Sequence, residues 1–368
     1  MPIRRSIHLR PSLLLPLVLM PGILAIILVS LHTSPSASPV IPTPSAPSVT
    51  VTAAPTRAAT TVPINRSWQS TGLTVETDAL VADPANPGTV LAGTIQGLWS
   101  STNGGAGWKR LPGYPATSAV LALAIGGNPR LLYVADNDGF VRVRTRQGVW
   151  HAIGPSPAPG SIFSLAVSDT TPPVILAGTA GALYRGVEQG AKWRWRVVAR
   201  TDGSSFAAVT WLGGGATNAL AAIFGSAPPI LATHDGGNTW KAASHGLPST
   251  LPTVAMLEVG SAPAKTVLST MGVGVWERTG TDAWREVSAG LPERHAMPLA
   301  GSTGGNPLFA GTMGYGVYMR KGSDPWRLIG KGLTGPSYIV LALLHEEGSR
   351  PALLAGTAVG VYRYTLGR

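Results

Sequence analysis

Past residue 63 the chain alternates short apolar runs with polar turns rich in Gly, Pro and Asn. Apolar runs stand at Ala79–Ala82, Val120–Ile125, Ile162–Val167, Phe206–Trp211, Thr253–Val259, Met297–Ala300 and Tyr338–Leu344. Runs of this length between turn residues predict strands rather than helices. Each is followed by a turn such as Asp83-Pro84-Ala85-Asn86-Pro87-Gly88, then by a second strand that closes on a Gly-Thr pair. The Gly-Thr signature opens Gly93–Trp99 and returns at Gly178–Tyr184, Gly311–Tyr318 and Gly356–Tyr362, with a looser copy at Met271–Trp276. A third strand carries Trp or Tyr, and a fourth opens on Trp108, Trp150, Trp240, Trp284 or Trp326, with Trp193 or Trp195 in the third unit.

From Gly93 to Gly356, six intervals of about 44 residues fit, which places two further units near Val134–Val141 and Ile223–Thr233. A period of this size with four short strands per unit predicts an all-β fold, a single seven-bladed β-propeller with four-stranded blades. The seventh unit lacks a fourth strand, and the stretch Asn65–Leu73, with Trp68, has the look of one with no unit before it. Pairing of this N-terminal strand with Val359–Tyr364 is the expected closure, because it removes exposed strand edges.

One turn has a signature of its own. Thr233-His234-Asp235-Gly236-Gly237-Asn238-Thr239-Trp240 has the form S/T-x-D-x-G-x-T-W, and Ser101–Trp108 is a weaker copy with Asn103 for the Asp and Gly107 for the second Thr. Asp235 is expected to accept hydrogen bonds from its own turn, with glycines supplying positive φ and Trp240 packing between units. Thr233, Asp235, Gly237, Thr239 and Trp240, and Ser101, Asn103, Gly105 and Trp108 in the weaker copy, therefore read as structural. This motif resembles the Asp-box, or BNR, repeat of the sialidase-like propeller superfamily. That group includes sialidases, two-propeller xyloglucanases, sortilin-type receptor domains and the photosystem II assembly factor family. The resemblance covers residues 65–368 and implies a fold, whereas function on such scaffolds depends on the site each carries.

The 368 residues include 46 Gly, 32 Pro and no Cys, which excludes disulfides and thiolate metal sites. Arg4, Arg5, His8 and Arg10 precede the uncharged run Leu13–Leu31, close to the roughly 20 residues that cross a bilayer core. Residues 1–32 are thus expected to be a transmembrane anchor, or a signal segment cut near Ser36-Ala37-Ser38, that places the rest outside the cytoplasm. Residues 33–63, built from Ser, Thr, Pro, Ala and Val, are expected to be a disordered stalk. Residues 64–368 form the propeller.

The chain carries net charge +11, and residues 1–63 hold four arginines and no acid. A modestly basic domain favours anionic neighbours such as lipid headgroups or acidic wall polymers, although solubility alone also accounts for it. No basic stripe of the nucleic-acid-binding kind is evident, so no nucleic acid is expected. There is no phosphate-binding loop, nucleophile elbow or dinucleotide fingerprint, and no His pair with ligand spacing; no cofactor or metal is expected. Asp136-Asn137-Asp138-Gly139 could begin a calcium loop, but Phe140 and Val141 follow, and an ordinary hairpin turn fits better.

The sialidase mechanism implied by the resemblance needs three arginines on the substrate, a Tyr–Glu pair and an acid Asp. Among the loops leading into the inner strands only Arg294 is an arginine, and Arg142, Arg144, Arg185, Arg194, Arg196, Arg278, Arg320 and Arg327 fall on outer strands. Other glycosidases need two carboxylates about 5 to 10 Å apart. Glu76, Asp78, Asp136, Asp138 and Asp202 are the acids placed to supply them. The expected role is a non-catalytic binding or scaffold module for a protein or glycan partner, the assembly of a membrane complex being one setting for it, and glycoside hydrolysis is the alternative. Its top face is expected to present Glu76, Asp78, Tyr114, Asp136, Asp138, Arg294, His295, Tyr315 and Tyr338 around the axis.

Overall fold

The computed structural model describes residues 67–366, apart from 84, 85, 87, 115–117, 154–159, 191, 261, 262, 303 and 348–350. The expected anchor and stalk, and the first residues of the expected domain, lie outside the described residues. Among those described, no helix is long and apolar enough to cross a membrane. The regular structure is all β, arranged in antiparallel sheets with two short 3-10 turns.

Strand β1 (Gln69–Ser70) stands apart at the N-terminal end. One four-stranded sheet follows in chain order: β2 (Thr77–Ala82), β3 (Val90–Thr94), β4 (Gly97–Ser101) and β5 (Lys109–Arg110). The next is β6 (Val120–Gly126), β7 (Leu131–Asp136), β8 (Val141–Arg144) and β9 (Trp150–Ala152). Strands β10 (Ser164–Val167), β11 (Val174–Gly178) and β12 (Ala180–Gln189) lead into β13 (Lys192–Trp211). From β13 the sheet continues to β14 (Ala219–Ile223), β15 (Ile230–Thr233) and β16 (Lys241–Ala242). Another four-stranded sheet comprises β17 (Thr253–Val259), β18 (Lys265–Thr270), β19 (Val275–Thr279) and β20 (Arg285–Glu286). The last strands are β21 (Leu299–Gly301), β22 (Leu308–Gly311), β23 (Met313–Arg320), β24 (Arg327–Glu346), β25 (Ala352–Thr357) and β26 (Gly360–Thr365).

The sequence reading expected a turn between every unit. Two boundaries differ. β13 pairs with β12 along its first part and with β14 from Phe206 onward, and β24 changes partner in the same way from β23 to β25. Residues 201–204 of β13, and 330–333 and 335–338 of β24, bulge from the ladder with Gly203, Gly330, Gly332 and Gly335 at positive φ, and pairing resumes beyond them, so each 20-residue strand is the outer strand of one unit and the inner strand of the next.

Each recurrent residue has a packing reason. A methyl group on Gly93 would meet Val120 at 2.6 Å, one on Gly178 the Phe206 carbonyl at 2.5 Å, and one on Gly311 Val340 at 2.5 Å. In each case the first inner-strand residue of the following unit is an obstacle, joined at Gly178 by Ser164 Oγ of its own unit, so the glycine lets the neighbouring unit sit close. Gly356 in the last unit is pressed by the Thr77 carbonyl of the first, at 2.7 Å. The threonine beside each glycine closes the following turn: Thr94, Thr179, Thr312 and Thr357 donate Oγ1–H to the carbonyls of Gly97, Ala182, Gly316 and Gly360 at 2.6–3.0 Å.

The fourth-strand tryptophans bridge neighbours, except Trp240, whose indole N–H donates to the Gly237 carbonyl of its own turn at 3.3 Å and not to the preceding unit. Indole N–H groups of Trp150, Trp195, Trp284 and Trp326 donate to the carbonyls of Pro112, Ile153, Ala243 and Val287, each one unit earlier, at 2.7–3.4 Å. Trp108 donates to Thr71 Oγ1 at 3.0 Å, and Trp68 donates to the Ile329 carbonyl at 3.1 Å. β1 pairs antiparallel with β26 in the register Gln69↔Arg363 and Ser70↔Tyr362, as the sequence led one to expect. The core is divided accordingly into apolar clusters, such as Leu176, Leu183, Phe206 and Ile223 in one and Phe309, Val317, Val340 and Leu353 in another.

Candidate functional site

Five inner strands carry the same irregularity. The register slips by one residue at Asp78, Leu121, Ala207, Val254 and Leu341, opposite the Gly-Thr pair or its counterpart. A bulge turns one side chain out of the ladder. At four of these positions the side chain is apolar; at the fifth it is a carboxylate. Asp78 Oδ2 is closed off from solvent and has no hydrogen-bond partner, and Glu76 Oε1, two residues upstream, is in the same state. Burial, aided by the charge on Glu76, pushes the Asp78 carboxyl up to about 7. Burial also raises Glu76. An isolated buried carboxylate favours its protonated form, which can then donate a hydrogen bond.

Further unpartnered groups stand at matching registers. Ser205 is two residues before the bulge in its strand, as Glu76, just ahead of β2, is before Asp78, and Thr253 is one residue before it in β17. Ser205 Oγ and Thr253 Oγ1 are buried without partners, and so is His295 Nδ1, in the loop leading to β21. The same end of the sheets thus carries five polar side chains with a buried, unpartnered atom: Ser205 and Thr253 are buried, and Glu76, Asp78 and His295 half-buried. Buried polar groups in folded proteins are ordinarily paired. Ser205 and Thr253 escaped the sequence reading because Ser and Thr are common in strands; the signal was their position just before the bulge.

The remaining expected site residues are placed differently. Asp136 is fully buried; its Oδ1 accepts the amides of Asp138 and Phe140 at 3.1 and 3.2 Å, while Oδ2 pairs with Arg142 and accepts the Tyr114 hydroxyl at 3.2 Å. Those bonds make it the pin of an ordinary hairpin turn. Burial pushes the Tyr114 phenol up to about 12, and its ring meets Trp150 edge-on at 5.0 Å. Asp138 accepts the Ser118 hydroxyl at 2.5 Å. Arg294, exposed and at φ 53°, pairs with Glu286 at 3.2 Å. Tyr338 meets Tyr362 of β26 edge-on at 5.7 Å, and Tyr315 is exposed. Glu76, Asp78 and His295 therefore stand together with the unpartnered set; Asp136, Tyr114 and Tyr338 are engaged in packing and pairing.

The box turn is held as its sequence requires. Asp235 Oδ1 accepts the amides of Asn238 and Thr239 and the Thr233 hydroxyl, and Oδ2 accepts the Thr239 hydroxyl, at 2.6–3.0 Å. The Thr239 hydroxyl and amide, with Thr233, hold the Asp235 carboxyl well below the usual carboxylate range. The Gly237 amide donates to Thr233 Oγ1 at 3.0 Å, and Gly105 repeats this with Ser101 at 2.9 Å. In the fifth unit Arg278 replaces the leading Thr; in the sixth, Arg320 does so and reaches back to Glu277 at 2.9 Å. Glu277 also pairs with Lys265 and Arg285, a network the sequence reading missed because its members lie on four strands and in two units. Among the described residues no cluster of acidic residues and histidines fit to hold a metal ion occurs.

No family model and no curated protein sequence matches the chain. Likeness appears among solved structures. The extracellular domain of BT4673 from B. thetaiotaomicron, described as a hybrid two-component system, aligns at TM-score 0.64 and 13% identity over 82% of this chain and 40% of that one. U3-55K aligns at TM-score 0.62 and 12% identity, over 82% of this chain and 98% of that one. The GH74 xyloglucanase from Xanthomonas campestris aligns at TM-score 0.61 and 17% identity, over 81% and 53%. These are propeller-type folds. The likeness is one of architecture alone, and the chain spans less than two thirds of the first and third of these neighbours.

Proposed function

We propose that residues 67–366 form one seven-bladed propeller, closed by β1 on the last blade, that acts as a non-catalytic binding module for a protein or glycan partner. Support for the ring comes from the repetition of one contact: Gly356 receives Thr77 as Gly93, Gly178 and Gly311 receive their successors. The tryptophan hydrogen bonds run in the same order and pass through Trp68 and Trp108 across the two ends of the chain. On this reading the segment Leu13–Leu31 tethers the domain outside the cytoplasm, where the partner belongs to a membrane complex.

The observation that carries the binding role is the set of polar side chains, each with a buried and unpartnered atom, at one end of the inner strands: Glu76, Asp78, Ser205, Thr253 and His295. A ligand with hydroxyl, amide or amine groups supplies the missing partners, and a buried group left open costs about 1–3 kcal/mol until it is matched. The test is affinity capture from membranes with the intact protein and with Glu76→Gln/Asp78→Asn. Loss of the captured partner from a variant that melts normally supports this face, and undiminished recovery rejects it. A second reading draws on the high pKa of Asp78, which suits a proton donor to a glycosidic oxygen. Turnover of a glycan substrate that disappears in Asp78→Asn would establish it.

A further inference from the structure

The hairpin β12–β13 reaches further out than those of four other units, and only β23–β24 among the described strands approaches it. β5, β16 and β20 have two residues each and β9 three, whereas β12 has ten and pairs with β13 down to Gln189↔Lys192. From Tyr184↔Val197 out to the turn its side chains alternate between two faces. Trp193 and Trp195 turn inward against the second unit, where the Trp195 indole donates to the Ile153 carbonyl at 2.9 Å. On the opposite face stand Arg185, Val187 and Gln189 of β12 and Lys192, Arg194 and Arg196 of β13.

That face carries four cations and no carboxylate. Arg185 and Arg196 are direct cross-strand partners, an arrangement that is unfavourable for like charges. Fold contacts absorb only part of the charge. Arg185 donates Nε–H to the Gly236 carbonyl at 2.6 Å, and Arg196 reaches the Asn238 side-chain oxygen. The nearby carboxylate, Asp235, has its oxygens occupied by its own turn. Lys192 and Arg194 are exposed, and a groove of about 230 Å³ opens among Arg185, Val187, Gln189, Arg194, Trp195 and Arg196.

We propose that this face binds a linear anionic polysaccharide. Alternate residues of an extended strand repeat at about 6.8 Å, so Lys192, Arg194 and Arg196 form a straight row of three charges about 14 Å long. Such a row matches a chain that carries an anionic group on successive repeats. Guanidinium forks suit sulfate, phosphate or carboxylate oxygens, and Gln189 can pair with hydroxyls. Two other polyanions fit less well. A nucleic-acid strand calls for aromatic stacking platforms, and both tryptophans here face the core. A bilayer is broad and flat, whereas this row is one strand wide and runs beside the box turn of the next unit, to which Arg185 and Arg196 are tied.

The experiment compares dextran sulfate with neutral dextran of the same length, using the intact protein and the double variant Lys192→Gln/Arg194→Gln. Both side chains are exposed, and the melting temperature checks that the fold is kept. A control variant, Lys109→Gln/Arg110→Gln, removes two exposed cations from β5. The expected result is salt-sensitive binding of dextran sulfate alone, about tenfold weaker in the first variant and unchanged in the control. Equal weakening in both variants would mean binding by net charge and would overturn the assignment, as would no binding at all. Tighter binding to anionic lipid vesicles or to single-stranded DNA than to dextran sulfate, lost in the same variant, would reassign the face to that partner and also overturn it.

Discussion

Arg363 donates its Nε–H to the carbonyl oxygen of Gly104 at 3.0 Å, across 259 positions of sequence. The bond is a copy of the one from Arg185 to Gly236. In both, an arginine on the third strand of one unit grips the first glycine of the box turn in the next, and Arg363 reaches from the last unit to the first. Arg363→Ala is expected to destabilise the domain by about 1 kcal/mol, the usual worth of a hydrogen bond. Chemical denaturation would show it as a lower midpoint with unchanged slope; no change in midpoint would mean that this joint bears no load.

Trp68 fastens the same joint from the other side. It is buried, bonded to Ile329 and packed on Tyr364 at 5.3 Å between ring centroids. Trp68→Ala is expected to cost about 3 kcal/mol. It would also free β1 from β26 and leave an unpaired sheet edge, so light scattering at raised temperature should detect self-association.

Asp78 makes stability fall as pH rises. Its folded-state pKa, about 7, lies above the ordinary value of 3.8, so the native state holds a proton that the unfolded chain has released between those limits. Stability owed to this group is full below about 4 and is lost through the interval up to about 7. Asp78→Asn is expected to be neutral near pH 4 and stabilising by about 2 kcal/mol above pH 7, measured by denaturation at the two pH values. A variant that gains nothing at high pH would show that the carboxylate is solvated after all.

Asp235 acts with the opposite sign. Its folded-state pKa is depressed by the Thr239 and Thr233 hydrogen bonds, so its contribution is present above the unfolded value near 4 and is lost as pH falls below it. Asp235→Ala should lower the melting temperature at neutral pH and narrow the gap to wild type under acid. Asn103→Ala, in the weaker copy, should have a smaller effect, since Asn103 makes fewer turn bonds.

Much of the architecture was legible before any coordinates. The Gly-Thr pairs and tryptophans mark strands because each is forced by a close neighbour: Gly93 by Val120, Trp284 by Ala243. Such constraints repeat with every unit, and repetition is visible in sequence. The site was less legible. Asp136 and Asp78 are both acids near a strand end, yet one is consumed by Arg142 and two turn amides while the other has no partner. What separates them is a one-residue slip of register at Asp78, and no local pattern announces it. Ser205 and Thr253 were overlooked for the same reason. The basic hairpin was visible as a row of arginines, but the turning of Trp193 and Trp195 to the core, which gathers the cations on one side, needed the pairing of β12 with β13.

The two 20-residue strands have a mechanical consequence. Where β13 and β24 pass from one sheet to the next, only short bulges at 201–204, 330–333 and 335–338 separate paired stretches, so a protease finds few accessible residues there between two ladders. Nicking should instead concentrate in the connections outside regular structure, such as Ala243–Leu251 between β16 and β17. The units that flank each long strand should then survive together in one fragment.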